Sequence, residues 1–149
     1  MTKVLVTGMS GTGKSSALRA LAARGLRTVD TDSSRWSRWE GSDWIWREGA
    51  ISDLLHTDGP LFLAGCKSNQ GRFYPHFSHI VLLSAPADVL LARIAARTDN
   101  PYGKSAADRA EILANLAAVE PLLRATCTLE IDATAPLYDV VQQLATLVS

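Results

Sequence analysis

Short apolar runs alternate along this chain with stretches in which apolar residues recur every three or four positions. The runs at 4–6, 27–29, 61–64, 80–83 and 129–131 have strand length, and the stretches between them carry the helical period. Strands alternating with helices predict an α/β domain with a parallel sheet built from right-handed crossovers. The first helix opens near Lys14 and stops at Arg24, with Gly25 as its left-handed terminator. A second helical region covers 44–56, where Trp44, Glu48, Ile51 and Leu55 share a face in an imperfect pattern. A cleaner helix starts at Pro86, a residue favoured in the first turn. Its Ala87, Leu90, Leu91 and Ile94 point inward. Ser105 caps the next helix, with Asp108 standing where a capping box has Glu. Its buried stripe is Ile112, Leu116, Val119 and Leu123, and Pro121 kinks it or begins a new turn. The last helix follows Pro136 and turns Leu137, Val140, Val141 and Leu144 inward.

Length and charge narrow the classes. A chain of 149 residues fits one domain, 1–149, with one core. It buries roughly 70% of the surface its unfolded form exposes, so it needs no staples. No repeat, linker or low-complexity segment interrupts it. Fifteen basic residues balance fifteen acidic ones, which argues against a nucleic-acid partner. Cys66 and Cys127 form neither a disulfide framework nor a metal-ligand spacing, which suits a reduced, cytoplasmic setting. Met1-Thr2-Lys3 leads directly into the first strand, leaving no room for a signal-peptide apolar region. No apolar run approaches the ~20 residues that span a bilayer. The expected partner is therefore a small molecule, without nucleic acid or membrane, acting on a monomer or simple homodimer.

The strongest chemical signal lies between the first strand and the first helix. There the chain reads Gly8-Met9-Ser10-Gly11-Thr12-Gly13-Lys14-Ser15, the phosphate-binding loop spacing in the context it requires. Its glycines let backbone N–H groups turn inward around phosphate oxygens, and the helix N-terminus adds partial positive charge. Gly8, Ser10, Gly11, Thr12, Gly13, Lys14, Ser15 and Ser16 are thus the expected nucleotide-binding residues. Lys14 serves the β- and γ-phosphates and the Ser15 hydroxyl serves Mg²⁺. A Rossmann reading fails because Ser16 stands where its third glycine belongs.

Two acids, Asp30 and Asp32, close the second strand. Strand C-terminal ends converge on the ligand crevice in a doubly wound sheet, which brings both carboxylates beside the phosphates. One acid holds Mg²⁺ through water. The other orients an acceptor hydroxyl and takes its proton.

On these motifs the chain resembles the superfamily of small P-loop kinases that includes nucleoside monophosphate kinases, shikimate kinase and gluconate kinase. The resemblance implies a three-layer fold with a five-stranded parallel sheet in order 2-3-1-4-5, helices on both faces and a short lid. The Asp30-Thr31-Asp32 pair resembles that of shikimate kinase, which implies that Asp30 serves the metal and Asp32 the acceptor. The run 89–97, Val-Leu-Leu-Ala-Arg-Ile-Ala-Ala-Arg, is similar to the helix entering the lid of adenylate kinases. That similarity implies that Arg93 stacks on adenine and Arg97 reaches the transferring phosphate. The segment 130–136 is similar to the loop bordering adenine, which brings in Asp132. The third strand ends in Ala64-Gly65-Cys66 without a Walker B aspartate, so metal duty falls on Ser15 and Asp30. The lid at 98–104 is short and holds no Cys or His, and the Gly-Gly-Gly run of shikimate kinase is absent.

The acceptor side is less specific. Trp36, Trp39, Trp44 and Trp46 follow the acid pair within eleven residues. They form either an apolar clamp for a ring or a small satellite core under a loop. Lys67, Asn69, Gln70 and Arg72 after the third strand either supply polar contacts or form a solvated loop, and Cys127 reads as buried in the fifth strand. His56, His76 and His79 lack ligand spacing. The expected activity is ATP-dependent phosphoryl transfer to a hydroxyl or phosphate of a small acceptor, with Lys14, Asp32 and Arg97 as catalytic residues. The alternative is an ATP-hydrolysing switch or chaperone that needs no acceptor.

Overall fold

The computed structural model describes residues 2–98 and 101–148. Strand β1 (Lys3–Thr7) leads through the phosphate loop into α1 (Lys14–Ala23), followed by β2 (Thr28–Asp30). A hairpin of β3 (Ser37–Glu40) and β4 (Asp43–Trp46) precedes α2 (Glu48–Leu55) and β5 (Leu61–Ala64). A 3₁₀ segment (Gln70–His76) leads to β6 (His79–Ser84), α3 (Ala87–Ala96) and α4 (Ala106–Thr126). The chain continues through β7 (Leu129–Asp132) and α5 (Leu137–Ala145) to a 3₁₀ turn at Thr146–Val148.

Five strands form one parallel sheet in spatial order β2-β5-β1-β6-β7. Counted along the main sheet alone this is the expected order 2-3-1-4-5. β1 and β5 lie in the interior and are buried at every position, as continuous apolar strands require when helices cover both faces. Val4, Val6, Phe62, Val81 and Leu83 face one core with Leu18 and Leu21 of α1 and Val140 and Leu144 of α5. Leu5, Leu61, Leu63 and Ile80 face the other, with Trp46, Ile51, Leu54 and Phe73. Asp30, Ala64, Val6 and Val81 sit level across the sheet. That register sets the end of β2 beside the loop that leaves β1.

Several local expectations need correction. Residues 44–46 are not the start of a helix: they form β4, antiparallel to β3 across Gly41-Ser42. Gly41 takes φ 61°, the left-handed turn geometry that the Gly-Ser pair permits. Helix α3 ends at Ala96, and Arg97 has extended backbone (φ −66°, ψ 138°), so Arg93 and Arg97 do not share a helix face. Pro86 is the N-cap of α3 rather than its first helical residue. Helix α4 runs unbroken through Pro121, and of its expected stripe only Ile112 and Leu123 are buried. Ser105 caps it by accepting the Asp108 N–H at 3.0 Å, but the Asp108 carboxylate takes the N–H of Gly103 instead. Leu137 is exposed. Cys127 follows α4 as its C-cap and is half-buried, outside the fifth strand. Of the lid expected at 98–104, Asp99 and Asn100 lie outside the described residues. No helix among the described residues is long and apolar enough to cross a membrane.

Candidate active site

The C-terminal ends of the parallel strands open onto a cleft of about 1310 Å³. Its floor is the loop from Gly8 to Ser15, and its flanks come from the ends of β2 and β5, from α3, and from the α4 and α5 side of the sheet. Gly8 takes φ 148°, and a Cβ there would lie 2.4 Å from the Leu83 carbonyl oxygen of β6. Only glycine lets the loop pass so close to the neighbouring strand. Thr12 is buried and its hydroxyl donates to the Met9 carbonyl at 2.9 Å, bracing the loop from within. Helix α1 opens without a side-chain cap and without an acid in its first turn. Its first N–H groups thus keep their attraction for anions. Ser10, Gly11, Gly13, Ser15 and Ser16 all line the cleft.

Lys14 donates through Nζ to the carbonyl oxygens of Gly8 and Met9, the latter at 3.0 Å. Burial lowers its pKa, while Cys66, Asp30 and Asp32 pull the other way. The Ser15 hydroxyl donates to Asp30 Oδ2 at 2.7 Å. Asp30 Oδ1 accepts the N–H of Asp32 at 3.1 Å, which fixes the turn after β2. Thus the two acids are linked, and the first of them meets the serine of the phosphate loop.

Asp32 is held from the side by two residues far away in sequence. Its Oδ1 accepts both the Trp44 indole N–H at 2.7 Å and the Lys67 ammonium at 2.9 Å. Partial burial pushes its pKa up, but the bonds from Lys67 and Trp44 and the charges of Lys67 and Lys14 outweigh this and hold it below the ordinary value. Lys67 Nζ also lies 5.6 Å from the Trp44 ring centroid. Below this cluster, Thr31 is buried. Its hydroxyl donates to the Ala64 carbonyl and accepts the Trp46 indole N–H, both at 2.7 Å. Asn69 pairs with the backbone of Trp46 at both its N–H and C=O, and Ser68 donates to Asp43 Oδ2 at 2.6 Å. The β3–β4 hairpin is therefore clamped onto the loop after β5, and that clamp aims Trp44 at Asp32.

The four tryptophans do not form one clamp, and none lines the cleft. Trp46 is fully buried in the core and Trp36 packs against its edge. Trp39 is 65% exposed and packs against Trp44 with the rings tilted and centroids 5.0 Å apart on the outer hairpin. The satellite-core alternative describes Trp36 and Trp46, and the hairpin claims the other two. Gln70 is buried between the Thr7 hydroxyl, the Tyr74 hydroxyl and the Lys67 N–H. Arg72 reaches Glu48 at 3.3 Å, away from the cleft lining.

On the other flank Arg93 spans two segments, donating to the Gly11 carbonyl at 3.3 Å and to the Ala133 carbonyl at 2.6 Å. Arg97 lines the cleft, and its Nε is buried with no hydrogen-bond partner among the described residues. Asp132 does not line this cleft. Its carboxylate turns back to accept the N–H and hydroxyl of Thr134 at 2.9 and 2.6 Å, and those bonds hold its pKa down. Ala133, Ala135 and Leu137 line the cleft in its stead. Sequence reasoning missed Lys67 and Trp44 as partners of Asp32. Nothing in the local pattern connects positions 32, 44 and 67, which meet only through the sheet and hairpin.

The donor set suits the expected ligands. Ser15 and Asp30 present hydroxyl and carboxylate oxygens, the hard donors that Mg²⁺ takes. No group of three or more His, Cys, Asp or Glu side chains able to hold a metal occurs among the described residues. A metal held here would thus share its coordination with phosphate oxygens and water.

Residues 4–114 match the family model described as an AAA domain. No curated protein matches the chain in sequence. In fold, the chain is similar to the shikimate kinase from Acinetobacter baumannii, solved in complex with shikimate (TM-score 0.73, 18% identity, 99% of this chain and 92% of that one). It is also similar to the shikimate kinase from Aquifex aeolicus (0.66, 16%, 98% and 95%). A gluconokinase from Sinorhizobium meliloti shares the fold as well (0.61, 20%, 98% and 91%).

Proposed function

The chain belongs to the AAA-domain family, and from that premise we propose that it is an ATP-dependent phosphotransferase acting on a hydroxyl of a small molecule. One observation carries the reading. Ser15 of the phosphate loop, Asp30 and Asp32 form a continuous chain of bonds at the mouth of one cleft. A hydrolysing switch needs the loop and a metal acid. The second carboxylate, held ionised by Lys67 and Trp44 at the cleft wall, is what an acceptor hydroxyl needs. Similarity of fold to shikimate kinases and a gluconokinase supports the same class.

In this reading the backbone N–H groups of the loop and the N-terminus of α1 cradle the β- and γ-phosphates, and Lys14 neutralises them. Ser15 and Asp30 would hold Mg²⁺, which supplies charge neutralisation of the phosphate oxygens. Asp32 accepts a hydrogen bond from the acceptor hydroxyl through Oδ2, the oxygen not engaged by Trp44 or Lys67. As the acceptor oxygen bonds to the γ-phosphorus and the bond to the bridging oxygen breaks, the hydroxyl proton passes to Asp32. The low pKa of Asp32 makes it a weak base, so it orients the nucleophile first and takes the proton late, which suits a loose transition state. Arg97, whose buried Nε has no partner among the described residues, stabilises charge on the transferring group. Arg93 holds the loop of Gly11 against Ala133 and forms the nucleotide-side wall.

The test is ATP turnover measured against an acceptor library, with Lys14→Ala as control. Turnover that rises sharply with one acceptor and vanishes in Lys14→Ala supports the reading. Turnover indifferent to every acceptor would show a hydrolytic module instead.

A further inference from the structure

The acceptor half of the cleft carries a charge balance that selects among acceptors; this inference rests on the kinase reading above. Five cations line the cleft: Lys14, Arg19, Lys67, Arg93 and Arg97. Lys14 belongs to the phosphate loop, and Arg93 is bonded to Gly11 and Ala133 on the nucleotide flank. Arg97 leaves α3 on that same flank, and Arg19 sits on α1 bonded to Ser16. Among the described residues that line the cleft, Lys67 is the one cation at the acceptor end. Its side chain is 7% exposed and its ammonium is already paired with Asp32. Arginines off the cleft lining are committed as well: Arg72 pairs with Glu48, Arg38 with Glu40, Arg47 donates to the Ser34 carbonyl, and Arg35 lies over the Trp36 ring.

Against this stand three carboxylates at the same end: Asp30, Asp32 and Asp43. Asp30 is bonded to Ser15 and so is assigned to the metal. Asp32 has one oxygen occupied and Oδ2 without a partner among the described residues. Asp43 accepts Ser68 on Oδ2 and leaves Oδ1 equally unpartnered. With the nucleotide and metal in place, what remains at the acceptor end is Asp32, Asp43 and a committed Lys67. Among the described residues the local charge is negative, with two unpartnered carboxylate oxygens and no unpaired cation at this end.

An acceptor carboxylate brought into such a site meets like charge and finds no ion partner among the described residues, which disfavours it. A hydroxyl accepted by Asp32 and an ammonium accepted by Asp43 satisfy both free oxygens. We propose that the acceptor is a small hydroxylated compound bearing a basic amine, an amino alcohol or amino sugar in chemical class, with Asp43 as the specificity-determining residue for its cationic group. The same balance disfavours shikimate and gluconate, both carboxylates at neutral pH, as acceptors.

The experiment is equilibrium binding by calorimetry to the full chain saturated with Mg²⁺ and a non-hydrolysable ATP analogue. Two sets of probes vary the charge on a common ring. One is glucosamine, glucose and glucuronate. The other is trans-2-aminocyclohexanol, trans-1,2-cyclohexanediol and trans-2-hydroxycyclohexanecarboxylate. In at least one set the amine should bind roughly ten-fold or more tighter than the carboxylate, the tenfold step that 1.4 kcal/mol represents, with the neutral compound between. Raising NaCl narrows the gap. In Asp43→Asn the amine and carboxylate should bind within about two-fold of each other. The proposal is overturned if in neither set the amine binds more tightly than the carboxylate, if no probe binds, or if the preference survives Asp43→Asn. Titration of the ATP analogue alone tests the kinase reading separately: absence of nucleotide binding overturns both, whereas binding of nucleotide with the wrong charge order overturns only this one.

Discussion

Gly65→Ala is expected to loosen the support beneath Asp32. Gly65 follows β5, donating its N–H to the Val6 carbonyl at 3.1 Å. A Cβ built on it would lie 2.5 Å from the Thr31 hydroxyl and 3.1 Å from the Trp46 indole nitrogen. Carbon and oxygen do not share such a distance, so Thr31 must rotate or the strand must move. Thr31 is buried, and its hydroxyl bonds both Ala64 and Trp46. Rotation gives up both bonds and strands the indole N–H of a fully buried tryptophan. An orphaned buried donor costs about 1–3 kcal/mol, and overpacking adds about 1–3 kcal/mol. The sum, about 2–6 kcal/mol, is a large part of the roughly 5–15 kcal/mol of a whole domain. Urea unfolding with unchanged slope is the assay. Gly71→Ala is the control, because its Cβ would meet nothing closer than Tyr74 at 3.9 Å; it should stay within about 0.5 kcal/mol of the parent. A loss below about 1 kcal/mol in Gly65→Ala would show that the Thr31–Trp46 pair gives way without cost, contrary to the bonding described.

Lys67→Met removes both a bond and a charge from Asp32, whose pKa should then rise toward the ordinary value near 3.9; carboxyl carbon NMR of Asp32 reads the shift. The sign follows from the lowered pKa: Asp32 contributes stability above its unfolded value, and that contribution disappears as pH falls through its folded value, so the variant should show a shallower loss in that acidic window. Arg97→Lys should reduce turnover more than Arg93→Lys, because a lysine keeps charge but not the planar fork at the transferring group. Arg93→Lys should instead lower thermal stability through its lost bridge between Gly11 and Ala133, read by calorimetric melting with no nucleotide present.

The parts of this fold with a strong local signal were legible in the sequence. The five sheet strands, α1 with Gly25 beyond it, and the Ser105 cap follow from periodicity and capping chemistry, whereas the strand order rests on the resemblance to small P-loop kinases. The β3–β4 hairpin did not emerge, because Trp44, Glu48, Ile51 and Leu55 mimic a helical stripe across an actual strand-to-helix junction. The signal that would have found it is Gly41-Ser42 flanked by tryptophans, residues that favour strands. The helix bearing Arg93 was readable, but its end at Ala96 was not, because no glycine or proline marks it. The acid pair was readable, whereas the hold on Asp32 was not. Trp44 and Lys67 reach it across 12 and 35 residues of chain, a separation no local pattern records.

Lys14 carries a further consequence. An ammonium has three N–H donors, and two of them are already tied to the Gly8 and Met9 carbonyls of its own loop. The cation is thereby tethered before any anion arrives. A free lysine gives up as much as about 2 kcal/mol of rotamer freedom when it is fixed, and here that loss belongs to folding rather than to ligand capture. The loop thus behaves as a finished mould with its positive charge already seated. An arginine in the same place would bring a broad planar fork into a slot shaped around a single nitrogen.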